Sequence, residues 1–503
     1  MIPGSRSHVS RVPRTPEVGT RMKSHWLVSL LAFTLALGLV GCGTPDERPQ
    51  TLIVISPHRE EIRDEVERGF AEWLRRQPGW EGVRVQIEWR DIGGGTSQIV
   101  RYLDSQYQVN PAGVGIDLLY GGGTDIYYEL KAKGQLEPYH LPDPLRQPLR
   151  PSLHGVPLRD EEGCWHGVML TSLGILYNRD VLDRLGLSDW HPPASWRDLG
   201  DERLVGWVSA GDPRMSGSVH MLYEWILQTY GWEEGFAVLM RLGANARGFA
   251  RFSDAVSRDV VLGKTAAGGT LDSYAFSATT REQRAVNAGY ANRNPLGFVL
   301  PKNETLLNPD SIAILKGAPH RRLAEKFIEY NLSEDGGQQL WMLRPMTDPA
   351  ERQRYPGSPH RYAICRLSVM ERLYDPARYP EALRSVPINP FDATRISLGG
   401  KQYDNRVADR RRRALGDLFG AWIIDPHAEL HAAWRAVLRC PPAEKERLAA
   451  ELFAPPLPRA EDLDNLRGLL GDPRRRAELV NAWLEQARRR YARVRAAAER
   501  GPP

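Results

Sequence analysis

Thr51-Leu52-Ile53-Val54-Ile55-Ser56-Pro57-His58-Arg59-Glu60-Glu61-Ile62 decides the fold class. Leu52 to Ile55 form an unbroken apolar run of the length expected for a fully buried strand. Pro57 ends it, because proline has no N–H to give to a sheet. A helix follows, with Ile62, Val66, Phe70, Trp73 and Leu74 on one face. The same order then recurs twice. Val83, Val85, Ile87 and Trp89 alternate as a strand, and Asp91-Ile92-Gly93-Gly94-Gly95-Thr96-Ser97 turns into a helix carrying Ile99, Val100 and Leu103. Residues 116–120 make a third strand, and Gly121-Gly122-Gly123-Thr124 opens another helix. Strand, small-residue loop and helix in triplicate predict an α/β lobe on a parallel sheet.

Further along, residues 168–177 read as a strand crossing into a second unit, with a helix at 180–187 and a strand at 204–209. Asp212-Pro213-Arg214-Met215-Ser216-Gly217-Ser218 leads into a helix whose inward face is Val219, Leu222, Tyr223, Ile226, Leu227 and Tyr230, ended by Gly231. A helix at 236–242 and a strand-like 270–274 come next. Strands at 296–300 and 311–315, and a helix through Leu323, Phe327, Ile328 and Leu332, return to the first unit. Beyond 346 the chain is broken by prolines and then helical near 406–424, 427–438, 443–452 and 475–498. The expected division is a signal peptide at 1–41, a tether at 42–50, a first lobe at 51–165 and a second at 166–298. A return to the first lobe at 299–345 and a mostly helical C-terminal extension at 346–503 complete it.

Ahead of the first strand, residues 27–40 are apolar and end at Gly41-Cys42-Gly43. The run is shorter than the roughly 20 residues of a spanning helix, so it reads as the core of an export signal. Leu39-Val40-Gly41-Cys42 resembles a lipobox, so the mature chain is expected to begin at Cys42, outside the cytoplasm and anchored to a membrane by acyl chains. Met22 is the better start, because residues 1–21 would place a long polar arm before the signal. The net charge of +5 includes Arg410-Arg411-Arg412-Arg413, Arg474-Arg475-Arg476 and Arg488-Arg489-Arg490. These sit on helical patterns near acidic residues, so a solvated face is expected rather than nucleic-acid binding. Cys164, Cys365 and Cys440 stand at wide spacings without a Cys-x-x-Cys metal pair; they leave room for one disulfide, the pair unspecified.

Five motifs in order resemble a known family. They are Ser56-Pro57-His58-Arg59-Glu60-Glu61-Ile62, Leu173-Gly174-Ile175-Leu176-Tyr177-Asn178-Arg179-Asp180, the 212–218 loop, the 260–274 block and Asn308-Pro309-Asp310-Ser311-Ile312-Ala313-Ile314-Leu315. Together they are similar to the extracellular solute-binding proteins of ABC importers, in the branch with ferric-ion, phosphonate and hexose-phosphate binders. The resemblance covers about 51–345, with a weaker echo to about 435. It implies a type II periplasmic-binding-protein fold, two α/β lobes closing on a ligand about a hinge, and a permease and ATPase as partners.

In such a fold, loops at the carboxyl ends of strands line the cleft. Here these are Ser56, His58 and Arg59; Thr96 and Ser97; Gly122, Gly123 and Thr124; and Ser216, Gly217 and Ser218, with Thr171 on the crossing strand. Helix-start N–H groups favour an anion, for which Arg59 or Arg214 is the expected charge partner. Ferric-ion binders use adjacent tyrosines and a first-loop histidine. His58 and Tyr274 match those positions and Asp272 adds an oxygen, but the second tyrosine is Ala275. The expected ligand is therefore a small oxyanion, such as a phosphorylated or carboxylated metabolite, with ferric ion or a ligand-sensing lipoprotein as alternatives. No cofactor and no enzymatic activity are expected: a Gly-x-Ser-x-Gly elbow, a His-Glu-x-x-His helix and a Walker loop are all missing from the sequence.

Overall fold

The computed structural model describes residues 49–394 and 396–500. The apolar run at 27–40 and Cys42 lie outside the described residues. Among those described, no helix is long and apolar enough to cross a membrane.

The first half is built as the sequence predicts. Strand β1 (Gln50–Ile55) leads into α1 (Glu60–Leu74), where Glu60 and Glu61 face the positive helix end and Ile62, Val66, Phe70 and Trp73 are buried. Then come β2 (Val85–Arg90), α2 (Thr96–Val109), β3 (Leu118–Tyr120) and α3 (Thr124–Ala132). Strand β4 (His166–Asn178) is buried at all thirteen positions. After it come β5 (Val208–Gly211), α4 (Gly217–Tyr230), α5 (Trp232–Asn245), β6 (Ala246–Ala250), α6 (Ser253–Val261), β7 (Ala267–Leu271) and α7 (Asp272–Asn287). Strands β8 (Leu296–Val299) and β9 (Leu307–Leu315), α8 (Arg321–Leu332) and the two-residue β10 (Leu367–Ser368) follow. The C-terminal helices are α9 (Asn405–Phe419), α10 (His427–Val437), α11 (Pro442–Phe453) and α12 (Pro473–Arg500).

The strands hydrogen-bond in the order β2-β1-β3-β9-β4-β7-β5-β6, with β8 and β10 also on β4. β1, β2 and β3 run parallel, as do β7, β5 and β6, while β9 and β4 are an antiparallel pair between these two groups. This is the expected two-lobe α/β fold, with long strands crossing from one half to the other. Two boundaries differ from the sequence reading. Residues 202–204 form a tight turn before β5, and the helix after β7 already starts at Asp272. Tyr274 therefore sits in a first helical turn rather than at a strand end.

Apolar side chains form a core in each half. Residues 340–398 pack with α1, α8 and the strands of the first half, including Leu340, Trp341, Leu367 and Met370. Helices α9 to α12, with the segment 420–424 between α9 and α10, share one core with α4 and α5 that includes Leu415, Phe419, Trp422, Trp434, Trp483 and Tyr491. The expected solvated face of the 410–413 run needs correction. Arg411 ion-pairs with Glu224 at 3.0 Å and Arg412 with Asp125, both inside the protein, because α9 lies between α3 and α4. Cys164, Cys365 and Cys440 are free thiols.

Glu224 is fully buried. Burial pushes its carboxyl up to about 7, outweighing the Arg411 guanidinium and the Gln228 amide that favour the charged form. A carboxyl that binds its proton more tightly when folded stabilises at low pH and loses that contribution as pH rises through its folded value. This residue's share of stability should fall between about 4.5 and about 7. Urea midpoints of the wild type should show that decline and Glu224→Gln should flatten it; parallel curves would contradict the assignment.

Candidate functional site

The site is built where loops of both halves meet the crossing strands. Ser56 Oγ accepts the His58 N–H at 3.1 Å, folding the loop after β1 so that the imidazole turns inward. The His58 ring lies against Gly121, where a Cβ would come within 2.7 Å of it, and edge-on to Tyr120. Gly121 and Gly122 have φ of 104° and 97°, a region that favours glycine. Thr96 fills the space beside Gly122, so the glycine loop joins the His58 side of the site to the start of α2.

Asp310 stands at a break in the β9–β4 register. Such bulges re-aim a side chain, and here the carboxylate accepts the Gly122 N–H and approaches His58 Nε2 to 3.6 Å. Arg366 Nη1 lies 3.7 Å from the same carboxylate. Arg366 is 3% exposed, yet its Nε and Nη1, like both ring nitrogens of His58, have no hydrogen-bond partner among the described residues. Burial lowers the His58 pKa, against the pull of Asp310. Burial alone would raise the Asp310 carboxyl; His58, Arg366 and the Gly122 N–H together hold it below its ordinary value.

The approach to Arg366 is made by backbone as well as side chains. Glu65 of α1 accepts the N–H groups of His360 and Tyr362 at 3.0 and 2.9 Å, fixing that loop to the first half. Cys365 then adopts φ 57°, uncommon for a residue with a side chain, immediately before Arg366 and β10.

From the second half, α7 begins at Asp272, which accepts Thr171 Oγ1 at 3.0 Å and the Ser172 N–H and hydroxyl at 2.9 and 2.8 Å. Burial raises the Asp272 carboxyl despite these bonds and the nearby Arg366. Two residues on, the Tyr274 ring lies 5.0 Å from the Arg59 guanidinium and 5.9 Å from that of Arg366. The helices α2 and α4 also meet start to start. A Cβ on Gly217 would fall 2.2 Å from Thr96 Oγ1, and one on Gly95 3.0 Å from the Met215 carbonyl. Two positive helix ends thus face each other.

The expected residues separate into groups. His58 and Gly122 meet Asp310, Tyr274 lies against Arg59 and Arg366, and Thr171 holds Asp272, while Thr96, Ser97, Ser216 and Gly217 lie at the junction of α2 and α4. Ser216 caps α4 by accepting the Val219 N–H, and Ser218 follows half-buried in its first turn. Gly123 caps α3 beside Met221. Thr124 is internally bonded: its N–H goes to Asn308 Oδ1 at 3.1 Å and its hydroxyl to Asn405 Oδ1 at 3.0 Å. Arg214 needs correction as a charge partner. Its guanidinium is held by both Asp212 oxygens and by Asp425 at 3.0 Å, clamping the 212–218 loop to the C-terminal helices. Tyr127 is core, its hydroxyl donating to the Gly121 carbonyl at 3.0 Å. Arg366 and Asp310 were not legible as site residues.

Residues 116–358 match the family model described as bacterial extracellular solute-binding protein. This stretch belongs to that family. The resemblance to solute-binding proteins of ABC importers is thereby the one found. Relatives of this solute-binding domain include an uncharacterized protein of Haemophilus influenzae, 28% identical over 232 residues, 45% of this chain and 60% of that one. The phosphoglycerate transport regulatory protein PgtC of Salmonella typhimurium is 27% identical over 224 residues, 42% of this chain and 52% of that one. The chain thus spans between about half and three-fifths of the length of these curated relatives. Two solved structures share the fold. The periplasmic binding protein AfuA of Actinobacillus pleuropneumoniae aligns at TM-score 0.53 and 18% identity, over 74% of this chain and 98% of that one. The periplasmic binding protein P5PA aligns at TM-score 0.55 and 19% identity, over 74% and 99%.

Proposed function

We propose that the protein is the lipid-anchored solute receptor of an ABC importer, capturing a small anionic metabolite between its lobes and delivering it to a membrane permease. The observation that carries this reading is Arg366, a buried guanidinium whose Nε and Nη1 make no hydrogen bond among the described residues, although Nη1 stands 3.7 Å from Asp310, beside His58 and Tyr274. Buried donors are normally paired, and a charged donor pairs most strongly with an oxyanion. The facing starts of α2 and α4 favour the same charge. In the closed arrangement, donors from both halves would surround the ligand and link its binding to hinge closure. A phosphorylated solute agrees with the phosphoglycerate in the name of PgtC and with the fructose-6-phosphate bound to AfuA.

Ferric ion suits these residues less well. Tyr274 is flanked by two guanidiniums, and Ala275 supplies no second phenolate. A trivalent cation needs anionic oxygens rather than cationic neighbours.

A thermal-shift screen over sugar phosphates, phosphoglycerates, phosphonates, small carboxylates and ferric citrate tests the ligand class. A bound anion should stabilise the fold by about 2.7 kcal/mol at a hundred times its Kd. Stabilisation by ferric ion alone, with a phenolate charge-transfer band that Tyr274→Phe removes, would overturn the anion reading. Anchoring has its own test. Cys42→Ser should move the protein from the membrane to the soluble fraction, and unchanged membrane association would contradict acylation there.

A further inference from the structure

A cavity of about 690 Å³ borders the cleft at Ser97 and Met215. Its walls come from α2 and α3, from the 212–215 loop, from α9 and from the start of α12, so both halves and the C-terminal helices enclose it. Seven basic side chains line it against five acidic ones, and which of them are already paired decides its character. Arg214 is held by Asp212 and Asp425, Arg412 by Asp125, and Arg476 by both oxygens of Asp417 at 2.7 Å. Arg101 and Arg413 differ. Arg101 donates only to the Arg214 carbonyl at 3.1 Å and Arg413 only to the Leu470 carbonyl at 3.5 Å; among the described residues neither has a carboxylate within ion-pair distance.

We infer that this cavity is a second binding site, distinct from the Arg366 cleft, for a small multivalent oxyanion bearing phosphate or carboxylate groups. Arg101 and Arg413 contribute N–H groups that no carboxylate occupies, whereas the Arg476 fork is taken by Asp417. Guanidinium forks match phosphate and carboxylate oxygens in pairs. Burial and then the Arg476 and Arg413 charges disfavour the Arg101 guanidinium, partly offset by Asp417 and Asp212. An anion among these guanidiniums relieves that repulsion. The volume falls in the range of about 300–1,000 Å³ that small-molecule sites occupy. Because both halves supply walls, occupancy favours their closed arrangement.

Inorganic pyrophosphate is the probe. Calorimetric titration of the full chain should show a binding event that Arg366→Gln retains and that Arg101→Gln/Arg413→Gln loses, with each single substitution weakening it about tenfold. A double variant that binds pyrophosphate as the wild type does would overturn the second site. So would loss of all binding in Arg366→Gln alone, which would place the ion in the cleft and leave that reading standing. Labelling with phenylglyoxal gives a measurement on the unaltered protein. Pyrophosphate should protect Arg101 and Arg413 from modification, mapped by mass spectrometry, and undiminished labelling of both would contradict the site.

Discussion

Arg412→Ala should destabilise the protein by about 3–5 kcal/mol, the loss expected when one partner of a buried ion pair is removed. Arg412 ion-pairs with Asp125 at the start of α3 and lies 3.8 Å from Glu129; the Asp125 side chain is 4% exposed. Without the guanidinium, Asp125 keeps only the favourable end of the α3 dipole, worth about 0.3–1 kcal/mol. Glu129 loses less, because Lys133 lies 2.6 Å away. The neighbouring Arg411 holds Glu224 of α4, and Asn405 accepts the Thr124 hydroxyl, so α9 grips both halves at once. Urea unfolding measures the loss directly. Combining Arg412→Met with Asp125→Asn should recover most of it, since apolar or neutral replacements remove the unpaired charge. A loss below about 1 kcal/mol would mean that Asp125 reaches solvent and that α9 is no clamp.

The architecture was legible because the strands and helices of both halves carry unambiguous periods. The Leu52–Ile55 run, the alternation at Val85, Ile87 and Trp89, and the 62-66-70-73 face of α1 each have one structural reading, and the glycines at 121 and 122 mark the positive φ found there. The site was legible only where chemistry stood next to such a signal. His58 and Arg59 follow a strand, and Ser216 precedes a helix. Arg366 lies instead in a proline-interrupted stretch without period, placed by the Glu65 contacts to residues 360–362, nearly 300 positions away in sequence. The available signal was one charged residue inside the apolar island Ala363-Ile364-Cys365-Arg366-Leu367. Asp310 needed the register break between β9 and β4, which no local pattern reveals. Tyr274 reads as strand because Thr270 and Leu271 continue the β pattern up to the helix start, and Arg412 reads as solvated because a run of four arginines ordinarily is.

Arg366→Gln should weaken capture of the solute about tenfold to a hundredfold. A charge-assisted hydrogen bond is worth about 1.5–3 kcal/mol, and each 1.4 kcal/mol is a factor of ten in affinity. Glutamine retains a donor of similar reach but lacks the charge and the paired N–H geometry, while Arg366→Lys retains the charge and should lose less. Asp310 keeps the Gly122 N–H in both variants, and unchanged melting profiles would show that the crossing strands are intact. The decisive measurement is a calorimetric titration of the phosphorylated metabolite that stabilises the wild type most, carried out on wild type, Arg366→Lys and Arg366→Gln. Affinity should fall in that order with one solute bound per chain at the cleft. Equal affinity in all three folded proteins would contradict capture of an anion by Arg366.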